Sequence, residues 1–404
     1  MTVCMKMSGA RWIELGCRPT GWLCLALASA CGGDATSGDE ALRSVSSDLT
    51  HATLVAEVEQ IGEDARLERS GHSMLSVGQR LFVVRGVQDD FDTQTNTFPE
   101  DVLRIQSSNG NVRALVQRGD EQPGGLSYSC VAADTSSAGS FYLFGGGHYL
   151  FELDPDFFSS LVVSDALYRF DVPTRRWELL EPAGARPTAR NGCAAQFFDG
   201  SVYMFAGISR FFDVNDELWK YDPGQNSWSQ LAPSGPVPPA RYKPATALDE
   251  SAGKIYYYGG LAFGPAGFAR LDDFWVYDIA SNSFQELPSG ISPVRDQGTL
   301  AVLSAPGGKR YVVHVGGDVP TDVSCTGFPQ LAEATSEVWA FDIDAETWAL
   351  VPTEGPMPRI EYHAGASIGQ HFYFAGGWAE EPDPVRTCRQ EWNPYIFELS
   401  LALH

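Results

Sequence analysis

Five arginines are the first candidates for chemistry. Arg69, Arg190, Arg241, Arg295 and Arg359 each open a similar stretch of chain. Guanidinium groups converging on one mouth hold a carboxylate or a sulfate through paired N–H donors. The same arginines also fit a second role, pairing with carboxylates of nearby loops or with backbone, and their repeat spacing favours it. Other chemistry is sparse. The chain has neither a Gly-x-Ser-x-Gly elbow nor a His-Glu-x-x-His helix. His51, His148 and His404 are poorly placed for a shared site, and His72, His314, His363 and His371 are scattered. Acidic runs such as Asp89-Asp90-Phe91-Asp92 and Asp213-Val214-Asn215-Asp216 lack EF-hand spacing. No cysteine pair has zinc spacing. No metal and no cofactor is expected, and the catalytic residues are unknown.

The stretch from Arg190 to Arg241 shows what carries the arginines. An apolar run, Cys193 to Phe198, meets Asp199-Gly200, a dipeptide suited to a turn whose two central residues have positive φ. A β-rich run, Val202 to Phe205, ends at Gly207. After a polar loop come Glu217-Leu-Trp-Lys-Tyr-Asp222, the turn Pro223-Gly224-Gln225-Asn226, and a short strand begun by Trp228. This is one antiparallel sheet of four short strands in about 50 residues. The pattern recurs. Tyr256-Tyr-Tyr-Gly-Gly260 precedes Asp273-Phe-Trp-Val-Tyr-Asp278, and Val312 to Gly317 precedes Glu337-Val-Trp-Ala-Phe-Asp342. Upstream lie Phe141-Tyr-Leu-Phe-Gly-Gly146 and Asp165-Ala-Leu-Tyr-Arg-Phe-Asp171, and downstream Phe372-Tyr-Phe-Ala-Gly-Gly377. The first copy, Leu81 to Gly86 and Asp101-Val-Leu-Arg-Ile105, is degenerate. Such a sheet cannot bury both faces alone, so the copies must stack, and a closed stack leaves few exposed edges.

These residues resemble kelch repeats: double glycine after an aromatic strand, a later Trp-x-Tyr/Phe-Asp, a Trp one turn on, and Pro-x-Arg at the end. The likeness runs from about Arg69 to Leu403. Ala206-Gly207 and Arg85-Gly86 stand in for Gly-Gly, Phe284 for Trp, and Asn393-Pro394 for an acidic residue. The resemblance implies an all-β, six-bladed kelch-type β-propeller of four-stranded antiparallel blades. Six-bladed relatives include periplasmic sialic acid epimerases and iron-dependent specifier proteins; the iron motif of the latter, Glu-x-x-x-Asp-x-x-x-His, is absent from this sequence. The sixth copy stops after its third strand. The alternating segment Thr53 to Ile61 has no blade of its own, so it is expected to supply the missing strand and close the ring.

Residues 1–30 read as a signal peptide, with Lys6, Arg11 and Arg18 before the short apolar run Trp22 to Ala28. Cys31 follows Ala28-Ser29-Ala30 as in a bacterial lipobox, with Leu27 one place early, and is the candidate lipidation site. Residues 31–52 are a Gly-, Ser- and Asp-rich tether, and residues 53–404 form the propeller. Cys325 and Cys388 fall in corresponding long loops of neighbouring repeats and are expected to form a disulfide. Cys130 and Cys193 match in the first strands of two other neighbours; a second bridge and two buried thiols remain equally open.

Acidic residues outnumber basic ones by 51 to 28, a formal charge of -23. A nucleic-acid partner needs basic patches to release counterions, so it is excluded. Cations and polar glycans are easier partners. The long insertions all lie between second and third strands, which puts them on one face, where function sits on a rigid scaffold. They carry aromatics: His148-Tyr149, Phe157-Phe158, Phe211-Phe212, Phe263, Phe268, Trp378 and Trp392. The ligand-site candidates are the five arginines, Trp378 and His148. The sequence therefore points to an exported, lipid-anchored, monomeric module that binds a protein or glycan through its long-loop face. The membrane is reached only through the lipid, in the bacterial envelope. The alternative is a carbohydrate- or sialic-acid-acting epimerase with its site at an Arg-lined channel mouth.

Overall fold

The computed structural model describes residues 52–90, 93–134, 139–149, 160–211, 213–264, 267–320, 332–381 and 389–404. Residues 1–51, including Cys31 and most of the expected leader and tether, lie outside them, as do Cys325, Cys388, Phe157, Phe158 and Phe212. The described residues are all-β apart from the 3₁₀ turn Ala65–Leu67.

Five antiparallel sheets each draw four strands from one continuous stretch of chain. The third repeat is representative: Ala194–Phe198, Ser201–Phe205, Leu218–Asp222 and Ser227–Leu231 pair in sequence order. Asp199 and Gly200 have φ of 45° and 74°, as the hairpin requires. All five residues of Ser201–Phe205 are buried, as are those of Ser140–Phe144 in the second repeat. A second strand is thus covered on both faces, which is why these segments read as unbroken apolar and aromatic runs rather than alternating ones.

The sixth sheet joins distant parts of the chain. Ala364–Ile368, His371–Ala375 and Tyr395–Leu403 are followed by Leu54–Glu63, with Thr353–Glu354 beyond it. The N-terminal strand runs antiparallel to Tyr395–Leu403, from Leu54 opposite Leu403 to Glu63 opposite Tyr395, with one irregularity between Gln60 and Gly62. Thr53 and His404 exchange backbone hydrogen bonds of 2.7 and 3.0 Å at its start.

The cores lie between sheets. Phe141, Phe170 and Trp177 of the second sheet pack on Phe82 and Val84 of the first. Tyr221 and Trp228 of the third pack on Tyr142 and Phe144 of the second. Equivalent clusters join third to fourth, fourth to fifth and fifth to sixth. A further cluster joins Ile368, Tyr373 and Ile396 of the sixth to Leu81, Val83 and Ile105 of the first. Burying each such large side chain contributes about 1.5–3 kcal/mol, so each sheet depends on both neighbours.

Cys130, in the first strand of the second sheet, is disulfide-bonded to Cys193, just before the first strand of the third, with Cα atoms 5.4 Å apart. Of the two states left open by the sequence, the structure has the bridge.

Candidate functional site

Arg69, Arg190, Arg241 and Arg295 are at most 1 % exposed. Each reaches the acidic residue just before the third strand of its own repeat. Arg69 bonds Asp101 at 2.7 and 3.2 Å, and Arg241 bonds Asp273 at 2.7 and 2.6 Å. Arg190 takes Glu217 and Asn215, and Arg295 takes Glu337 at 2.6 Å. In three repeats the same carboxylate also accepts an indole N–H, from Trp219, Trp275 or Trp339. Burial pushes the Glu217 and Glu337 carboxyls up, but the hydrogen bonds from their arginine and tryptophan outweigh it and hold both low. Arg69, Arg190 and Arg241 also donate to the carbonyl of the residue before the closing glycine, at Arg85, Ala206 and Gly259. The guanidiniums of Arg69, Arg190 and Arg241 are committed inside their repeats, while Arg295 holds Glu337 through Nη2 and its buried Nε and Nη1 meet no hydrogen-bond partner. Arg359 differs: it is 39 % exposed and pairs with Glu333 and Glu380.

What converges instead is the residue two places after Arg69, Arg190, Arg241 and Arg295, the residue three places after Arg359, and Tyr128 of the second repeat, which has no such arginine. Gly71, Tyr128, Gly192, Lys243, Gln297 and Tyr362 all have φ between 52° and 61°, and all six line one cavity of about 190 Å³. The backbone links them: Tyr128 donates to Gly71, Gly192 to Tyr128, Lys243 to Gly192 and Tyr362 to Gln297. The Lys243 ammonium lies 3.6 Å from the Tyr128 ring centroid, 4.9 Å from that of Tyr242 and 4.8 Å from that of Tyr362. Such placement over ring faces is attractive. The two glycines serve the rings. A Cβ on Gly192 would overlap the Tyr242 ring, and one on Gly71 would come within 2.9 Å of Tyr128. Sequence inspection missed this set because its side chains differ from repeat to repeat. In five of the six the signal was position, two or three places after the repeat arginine.

Beside the cavity is a buried acid cluster. Arg270 bonds both Asp296 and Asp318, and Gln297 donates to Asp296 at 3.0 Å. Burial, then the neighbouring Asp296, pushes Asp318 well above its usual range. Burial, then the charges of Glu380 and Asp296, raises Glu361 to about 8. The folded state therefore binds protons more tightly than the unfolded chain, whose Glu titrates near 4.5. This contribution to stability is full below that value and is lost as pH rises through about 8. The melting temperature of the native protein is expected to fall, between about pH 5 and about pH 8, relative to that of Glu361→Gln. Parallel pH profiles in calorimetry would contradict the assignment.

The long loops are themselves short hairpins, such as Gln88–Asp90 with Thr95–Thr97 and Leu261–Gly264 with Gly267–Arg270. Their roots pair with the opening segments: Ser70 with Val87, Ser127 with Gly147, Asn191 with Ile208, Tyr242 with Leu261 and Asp296 with Asp318. Loops and central cavity thus share one side. Trp378, read as an exposed loop aromatic, is only 8 % exposed. It faces Trp392 across its hairpin with ring centroids 3.5 Å apart, and Trp392 donates to the Asp89 carbonyl. His148 is exposed, edge-on to Phe98. Neither residue lines the central cavity. Among the described phenylalanines of the long loops, Phe211, Phe263 and Phe268 stand out into solvent. Among the described residues no group of acidic, histidine or cysteine side chains has a metal-holding arrangement.

Comparison with known proteins agrees with this architecture. The chain is 26 % identical over 220 residues to Kelch domain-containing protein 10 of Homo sapiens, covering 54 % of this chain and 46 % of that protein. It is 25 % identical over 257 residues to Host cell factor 2 of Homo sapiens, covering 58 % and 30 %. It therefore spans less than half the length of these curated relatives. Residues 71–317, more than half of the chain, match the family profile described as the KLHDC2/KLHL20/DRC7 Kelch-repeats domain. With the repeated sheets and their buried Arg–carboxylate pairs, this match makes the chain a member of that kelch-repeat family.

Proposed function

We propose that this chain is a six-bladed kelch propeller, closed by its N-terminal strand, that works as a binding module through its long-loop face. The six clusters between successive sheets support the ring, and the pairing of Leu54–Glu63 with Tyr395–Leu403 supports its closure. The observation that carries the function is the state of the arginines. A site acting on a carboxylated sugar would need guanidiniums free at the mouth, whereas four of the five are buried on carboxylates of their own repeats. That favours the module over the epimerase-like alternative. The loop side meanwhile carries exposed aromatics and the central cavity, the usual features of recognition on a rigid scaffold.

The protein is further read as exported and lipid-anchored through Cys31, a monomer reaching the membrane only by that lipid. The Cys130–Cys193 bridge supports an oxidising compartment, and mass spectrometry of the mature N terminus tests the lipid. For the module itself, residues 52–404 are to be screened against glycans, metabolites and peptides. Saturable binding, weakened by Phe211→Ala or Phe263→Ala at unchanged melting temperature, is expected. Chemical turnover of the bound compound, or binding indifferent to the loop changes, would overturn the reading.

A further inference from the structure

We propose that the loop face receives a neutral glycan along one continuous aromatic path; this rests on the binding-module reading above and names its partner class. Phe263 and Phe268 oppose each other across a hairpin with centroids 4.9 Å apart, and are 40 % and 37 % exposed. Phe268 lies 6.2 Å from Tyr242, and Tyr242 lies 6.3 Å from Tyr128. Tyr128 lines the 190 Å³ central cavity, where Lys243 and Gln297 also stand. Rings therefore run from a solvent-exposed crest to an open cavity that carries Lys243 and Gln297.

A pyranose matches that sequence of surfaces. Its C–H face packs on the negative face of an aromatic ring, and its hydroxyl edge accepts from an ammonium and exchanges hydrogen bonds with an amide. The cavity is below the usual size for a drug-like ligand, which suits one sugar ring, with further units lying on the path outside. A net charge of -23 repels polyanionic polysaccharides, so the chain received is uncharged. Lys243 and Gln297 give the cavity lining hydrogen-bonding groups beside its rings, which suits a sugar better than a purely apolar peptide anchor. The path is also preformed. Tyr242 packs against Gly192, which has φ 61° and no Cβ to displace the ring. Little side-chain freedom is then lost on binding.

The test is calorimetric titration of residues 52–404 with neutral hexasaccharides of glucose, xylose, mannose and galactose. At least one is expected to bind, with affinity almost unchanged between about 0.05 M and about 0.5 M salt. Tyr242→Ala and the double change Phe263→Ala with Phe268→Ala should each weaken it by roughly tenfold or more. Lys243→Met, which keeps the aromatic path, should weaken it also, and all variants are to be matched for melting temperature. Glycan binding that survives these changes would overturn the proposal. So would failure of every neutral glycan when cationic apolar peptides bind and lose affinity in the same variants; that outcome leaves the module standing with a protein partner. If neither class binds, both readings fall.

Discussion

Replacing Arg241 with alanine is expected to destabilise the protein by about 3–5 kcal/mol, the usual cost of leaving half of a buried ion pair behind. Arg241 is fully buried and holds Asp273 with two parallel hydrogen bonds. It also donates to the Gly259 and Pro239 carbonyls. Its removal strands the carboxylate beside Trp275 and frees two backbone acceptors. Arg241→Lys should recover only part of the loss, because an ammonium cannot form the planar fork. The coupled change Arg241→Met with Asp273→Leu should cost less than Arg241→Ala, since no charge is left unpaired. Chemical denaturation of the three variants gives the comparison. A loss under about 1 kcal/mol for Arg241→Ala would place the pair among weak surface bridges.

Deleting residues 52–63 is expected to have a larger effect, abolishing cooperative unfolding or lowering the midpoint severely. The deletion removes every partner on one side of Tyr395–Leu403 and exposes its edge. It also takes Ala56 and Val58 out of the cluster that joins the fifth and sixth sheets. In the proposed ring each sheet is held by two neighbours, so opening one seam weakens both sides of it. Aggregation through the freed edge is the expected accompanying symptom. An undiminished, cooperative melt in the truncated protein would mean that the seam is held in another way. Supplying the strand in trans as a peptide of residues 52–63 should restore part of the lost stability, which separates edge loss from general damage.

Much of the fold was legible because its signals are local. The Asp199-Gly200 turn, the aromatic run Tyr256 to Tyr258 and the motif Asp273-Phe274-Trp275 each declare a strand or a turn on their own. The arginine roles needed two distant signals together: the Arg at the head of a repeat and the acid before its third strand, 32 residues apart for both Arg69 and Arg241. Each was visible, but their contact is tertiary. The central cavity was the least legible feature. Gly71, Tyr128, Lys243, Gln297 and Tyr362 share a backbone conformation and not a side-chain type, so no residue pattern announces them. The raised pKa values of Asp318 and Glu361 depend on which carboxylates burial brings together, and that also is invisible in one chain read linearly. Trp378 shows the opposite error: an aromatic in a long loop looked exposed, and its cross-hairpin partner Trp392 covers it.

The central claim is that the buried repeat arginines fasten each sheet internally and leave the proposed recognition to the loop side. The most direct measurement is nitrogen-15 NMR of the arginine Nε–H groups in residues 52–404, with and without added sulfate or sugar carboxylate. The account predicts that the signals of Arg69, Arg190 and Arg241, whose Nε groups donate to Arg66, Thr188 and Pro239 carbonyls, exchange slowly with water and do not move on addition of either anion. Fast exchange of these signals, with saturable shifts on adding the anion, would contradict it and return the arginines to a ligand site.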